Sequence, residues 1–96
     1  MNLQGDVGLT NTNLVTSNSL NKVVNVISMR FRNDAAYVLT VSRYSKKYNR
    51  TDVLYEYNLS AGDTVLDTSG YVIDHDDILY AKSDIPGTTY LIYTLP

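Results

Sequence analysis

The residues best suited to chemistry in this chain lie in one short acidic corner. Asp74, His75, Asp76 and Asp77 place three carboxylates and the only histidine side by side. An imidazole next to carboxylates is part of a general-base arrangement, but nucleophilic catalysis also needs a Ser or Cys that the base can reach. The chain has no Cys, and none of its serines stands in a recognisable nucleophile setting. Catalysis is therefore not expected, and a lone His among turn aspartates reads as a surface residue. The same carboxylates, joined by Asp63 or Asp67, have oxygens to offer calcium, yet they lack the loop length and distal Glu of an EF-hand. Neither a metal nor a cofactor is expected. Gly62, Gly70 and Gly87 are isolated, so no glycine loop is available to cradle phosphate. The nine tyrosines suit a sugar-stacking face, although the absence of Trp weakens that reading; they fit a core or a protein interface equally well.

These groups have to be positioned by strands. The acidic corner is the second of two similar turns: Leu59-Ser60-Ala61-Gly62-Asp63-Thr64-Val65 is echoed fourteen residues later by Ile73-Asp74-His75-Asp76-Asp77-Ile78-Leu79. Each corner separates two strand-like runs, so consecutive hairpin turns are expected. Gly62 can take the positive φ of a tight turn, and Asp76, in the equivalent place, tolerates it better than most residues. Alternation is clear from Lys22 to Arg32, where Val23, Ile27, Met29 and Phe31 share one parity. It returns in Tyr37, Leu39 and Val41, and again from Thr51 to Asn58, where Val53, Tyr55 and Tyr57 form one face. With Asn33-Asp34 as the turn, the first two runs read as a hairpin. Short strands follow at about 64–66, 71–73 and 78–82, then a Pro86-Gly87 turn and a closing run, 88–95, that is apolar on both faces.

Composition agrees. Tyr, Val, Ile and Thr are abundant and strong helix formers few, so seven or eight short strands in two antiparallel sheets are expected, an all-β sandwich of jelly-roll or immunoglobulin-like type. The 96 residues make one domain, without disulfides, and no apolar run approaches the roughly 20 residues of a membrane helix. The first residues lack the pattern of a secretory signal, and Asn49-Arg50-Thr51 and Asn58-Leu59-Ser60 are read as chance matches to a glycosylation pattern. The expected core is Ile27, Met29, Phe31, Leu39, Val41, Val53, Tyr55, Leu59, Val65, Ile73, Ile78 and Ile92. Residues 1–21 hold a single charge, Asp6, and scattered apolar side chains, and read as an extended N-terminal arm, with a short strand near Asn13 to Thr16, ahead of a sandwich domain at 22–96. The equal alternative is that this segment supplies a first strand of the same domain.

Charge is lopsided. Seven of the eight basic residues fall between 22 and 50, and eight of the ten acids between 52 and 84. The basic loop around Arg43, Lys46, Lys47 and Arg50 is either a contact for acidic protein or phosphate, or a solvated hairpin tip. If the basic tip and the acidic corners project separately, copies or partners can meet through opposite charge.

From Arg30 onward, about two thirds of the chain, the sequence resembles small β-sandwich structural proteins of tailed bacteriophages. The matching residues are Asn33 after Arg30-Phe31-Arg32, then Leu59-Ser60-Ala61-Gly62-Asp63, then Ile73-Asp74-His75-Asp76-Asp77, with Asp76 in place of a second glycine, and finally Thr89-Tyr90-Leu91-Ile92-Tyr93. The resemblance implies a non-enzymatic virion component. Capsid decoration, or cement, is the first expectation, a tail, neck or baseplate role the second, and a carbohydrate-binding module for host attachment the alternative from another class. Expected partners are copies of the chain and other virion proteins, the major capsid protein foremost, with no direct nucleic-acid or membrane contact. Leu3, Val7, Leu9 and Leu14 of the arm, with Arg43, Lys46, Lys47 and Arg50, are the expected partner contacts.

Overall fold

A computed structural model describes residues 2–16 and 23–95, and these contain nine strands and no helix. The strands are β1 (Asn2–Asp6), β2 (Thr12–Thr16), β3 (Val24–Arg32), β4 (Tyr37–Ser45), β5 (Arg50–Leu59), β6 (Thr64–Asp67), β7 (Tyr71–Ile73), β8 (Ile78–Ser83) and β9 (Thr89–Leu95). Two antiparallel sheets pack as a sandwich. One runs β1-β9-β3-β6, with β7 pairing a different stretch of β3; the other runs β2-β8-β4-β5. The chain changes sheet at almost every step, and each sheet interleaves strands from both ends of the sequence. Of the two expected sandwich types, this is the jelly-roll winding, its sixth strand split into β6 and β7.

That winding corrects the expected hairpins. β3 and β4 do not pair: they lie in opposite sheets, so the Asn33 turn is a crossing. Both echoed corners are crossings as well, since β5 and β8 belong to one sheet and β6 and β7 to the other. Among the described residues only β4 and β5 are joined as a hairpin. A tight polar turn has the same sequence signature whether the chain folds back onto its own sheet or steps to the other.

The echo itself is real. Gly62 and Asp76 have φ of 80° and 64°. In each corner the N–H of the last residue donates to the carbonyl three residues back, Asp63 to Ser60 at 3.1 Å and Asp77 to Asp74 at 2.9 Å. Gly62→Ala should therefore cost about 1 kcal/mol, the usual penalty for a Cβ in the left-handed region, although open space surrounds the position. A denaturant midpoint measures it.

Segments expected as an arm are built into both sheets. β1 pairs β9 and β2 pairs β8, so residues 2–6 and 12–16 are strands of the sandwich, the alternative held open above. The boundary at 21/22 lies outside the described residues.

Met29, Phe31, Leu39, Val41, Ile73 and Ile92 are buried as expected, together with Val7, Leu14, Val15, Val26, Tyr37, Leu79 and Ala81. Tyr55, Leu59 and Val65 pack against this core and Ile78 is half-buried. Two core assignments are corrected: Ile27 and Val53 face outward. β3 is bulged between Val26 and Ser28 against β9, and β5 is bulged around Leu54 against β4. An extra residue reverses the parity of every side chain beyond it, so Val26 and Met29 point inward from either side of Ile27.

Asn33 clamps three of the crossings together. It is buried; its Nδ2 donates to Pro86 O at 3.0 Å and to Thr88 Oγ1 at 2.8 Å, its Oδ1 accepts from Ala35 N at 2.9 Å, and its carbonyl accepts from Gly62 N at 3.0 Å. Asn33→Ala should cost about 2 kcal/mol by leaving partners unsatisfied in a buried setting, read as a lowered urea midpoint with unchanged m-value.

Candidate interaction surface

The acidic corner and the basic loop, about thirty residues apart in sequence, meet at one end of the sandwich. The β4–β5 hairpin tip and the β7–β8 corner border a cleft of about 790 Å³. Asp77, only 5% exposed, turns inward: one carboxylate oxygen accepts from Arg43 Nη2 at 2.9 Å, the other from Lys46 N at 2.9 Å. Asp74 lies 3.8 Å from the same guanidinium. Arg43 is thus committed within its own chain, so the condition of separate projection is not met at the Asp74–Asp77 corner. His75 Nε2 lies 3.4 Å from Asp76 Oδ2, both half-exposed. Among the described residues no three His, Cys, Asp or Glu side chains are grouped to hold a metal.

The remaining expected contact residues divide by exposure. Leu9, Lys46, Lys47 and Arg50 are exposed; the Lys47 ammonium and Arg50 guanidinium lie 5.4 and 5.9 Å from the Tyr48 ring centre, and Arg50 also pairs with Asp52 at 3.0 Å. Leu3 packs against the core, while Val7 and Leu14 are part of it. These three stabilise the chain's own fold for as long as β1 and β2 stay in place.

A second polar cluster lies where the edges of the two sheets approach each other, between β5 and β6. Tyr55 and Tyr57 stack with ring centres 5.0 Å apart, and Tyr71 Oη donates to Asp67 Oδ2 at 2.8 Å. Burial by itself would raise the Asp67 carboxyl, but hydrogen bonds from Ser69 N and Tyr71 hold it below the usual aspartate value. The Tyr71 hydroxyl is pushed up from 10.0 to about 12, by burial first and then by its bond to Asp67. Tyr55 Oη is buried with no hydrogen-bond partner among the described residues, and burial followed by the Asp67 charge pushes its ionisation further up. A tyrosine that keeps its proton longer when folded stabilises the fold fully below pH 10, and that contribution is lost as pH rises from 10 towards 12. Urea midpoints should fall over this window, and less steeply for Tyr71→Phe.

Sequence reasoning expected a sheet surface to meet partners without saying which one, and the structure shows one rich in exposed apolar side chains. On the outer face of the five-stranded sheet, Ile27, Leu66, Val72, Leu91, Tyr93 and Leu95 are all exposed, Leu66 at 58%. The outer face of the other sheet is more polar, with Thr40, Glu56 and Lys82 in one row. The signal lay in the closing run, apolar on both faces, which is covered by the core on one side only. Arg30 and Asn25 of β3 stand between the β9 residues and Leu66 and Val72, and such a concentration of exposed apolar side chains rimmed by polar ones is a mark of an interaction site.

No protein-family model matches the chain, and no curated protein matches it. Among solved structures, one similar in fold is a pentameric capsid protein isolated from metagenomic phage sequences, with 14% identity and a TM-score of 0.52 over 97% of this chain. The chain spans 59% of that protein's length. Another is a chain of Bacillus endospore appendages, which form disulfide-linked pili, with 10% identity and a TM-score of 0.49 over 100% of this chain and 85% of that one. At 14% identity the likeness to the capsid protein is one of fold alone.

Proposed function

We propose that this chain is a non-enzymatic virion structural protein, first of all a capsid decoration protein that binds and stabilises neighbouring capsid subunits. The observation that carries this reading is the apolar outer face of the five-stranded sheet, a docking surface on a fold shared with a phage capsid protein. Tail, neck or baseplate attachment uses the same kind of surface and is the second choice. The test is to add the purified chain to particles that lack it and to locate it in a map of the intact particle. Ordered density on the capsid lattice supports decoration; density confined to the tail or neck transfers the role there, and absence from the particle overturns the virion assignment.

The exposed tip is the proposed polar contact in this attachment. Lys46→Glu with Lys47→Glu should weaken particle binding most at low salt, because exposed charges are screened over about 8 to 10 Å at moderate ionic strength. The melting temperature should not change, since neither side chain carries a buried contact. Equal occupancy of the variant at low and moderate salt removes the tip from the contact surface.

A carbohydrate-binding role in host attachment has one observation in its favour, the Tyr55, Tyr57 and Tyr71 cluster beside the ionised Asp67. Aromatic rings can stack on sugars while a carboxylate accepts hydroxyl hydrogens. Binding on a glycan array that is lost in Tyr57→Ala would favour it.

A further inference from the structure

The outer face of the five-stranded sheet is divided along its central strand. Opposed residues of antiparallel strands share a face, and the registers of β1 and β3 on β9 set out rows. Asp6 lies beside Thr89 and Thr89 beside Arg32; Gln4 lies beside Leu91 and Leu91 beside Arg30. One flank, from β1, is acidic and amide-bearing. The other, from β3, carries two guanidiniums, and between them runs the apolar strip of Leu91, Tyr93 and Leu95 on β9. A shallow groove of about 490 Å³ has Thr89 and Leu91 as its floor, Gln4 and Asp6 on one wall, and Arg30 and Arg32 on the other. Neither Asp6 nor Arg30 has an ion-pair partner among the described residues, and Arg32 pairs only with the exposed Asp34.

Such a face is complementary to itself. A half-turn about an axis lying over β9 and parallel to it keeps every row at its own level and exchanges the two flanks. The apolar strip then faces the apolar strip, while Asp6 comes over Arg32 of the second copy and Gln4 over its Arg30, each contact occurring twice as in any isologous interface. We propose that two copies of this chain pack outer face to outer face across β1-β9-β3, with Asp6 opposed to Arg32 of the second copy. Leu66 and Val72, on β6 and β7, stay uncovered, and they are the part of the outer face left for the docking proposed above.

The inference rests on the structural-subunit reading above, and the experiment separates the two. Sedimentation equilibrium of the full chain should give twice the 10.8 kDa chain mass. Asp6→Arg sets like charges against each other and should weaken the dimer at least about tenfold, roughly 1.4 kcal/mol. Asp6→Arg combined with Arg32→Asp restores opposite charge and should recover affinity to within about threefold, whereas Leu91→Asp should leave monomer. Circular dichroism and melting temperature establish that each variant is folded. Failure of the double variant to recover overturns the Asp6–Arg32 register. Dimerisation untouched by Asp6→Arg and Leu91→Asp overturns this face as the interface, as does a folded monomer at millimolar concentration. Particle binding that persists in either case leaves the structural-subunit reading intact.

Discussion

Phe31→Ala should lower the unfolding free energy by about 4 kcal/mol, the usual cost of deleting a fully buried aromatic side chain. Phe31 has no exposed surface and sits in the middle of its sheet, opposite Tyr90 on β9 and Val65 on β6. Strands on both sides hold the backbone, so the vacated space cannot collapse fully and the cavity adds to the lost transfer energy. A domain of this size is stable by only about 5 to 15 kcal/mol, and each kcal/mol shifts its melting temperature by roughly 4 to 8 °C. The variant should therefore melt about 20 °C lower. Phe31→Leu, which keeps most of the volume, should lose less than half as much. A loss below about 1 kcal/mol would show that Phe31 does not pack between the sheets.

The second large effect lies at the end of the sandwich. Asp77→Ala should cost about 3 kcal/mol, because it removes the acceptor for both Arg43 and Lys46 N and leaves a guanidinium without its closest counter-charge. Breaking a buried pair from one side costs about 3 to 5 kcal/mol; the lower figure applies here because the Arg43 side chain keeps 28% of its surface in water. Replacing both partners by apolar side chains, Asp77→Leu with Arg43→Met, should cost less than Asp77→Ala alone, since no charge is then stranded. A double-mutant cycle by urea unfolding reads the coupling directly. Additive losses would mean that the contact ties the hairpin tip to the β7–β8 corner without contributing coupling energy.

What the sequence determined by itself was local. Period-two alternation identified β3, β4 and β5 as strands, and a polar corner with Gly62 or Asp76 at its third position foretold two turns of one geometry, because positive φ is a property of single residues. Sheet membership was not legible. The Asn33 turn and the two corners read as hairpins, yet each crosses between sheets, and only the pairing of β3 with β9, nearly sixty residues away at Arg32 and Thr89, decides this. Face assignment failed at Ile27 and Val53 for a related reason: a bulge is set by the register of the neighbouring strand, and one extra residue reverses inside and outside. The charge asymmetry was visible as two blocks along the chain, but only tertiary structure brought Arg43 to Asp77 and made one internal contact of what resembled two surfaces. The outer face of β9 was legible as apolar and not as exposed, since the sequence records which side chains avoid water and the packing of the two sheets alone decides which of them are covered.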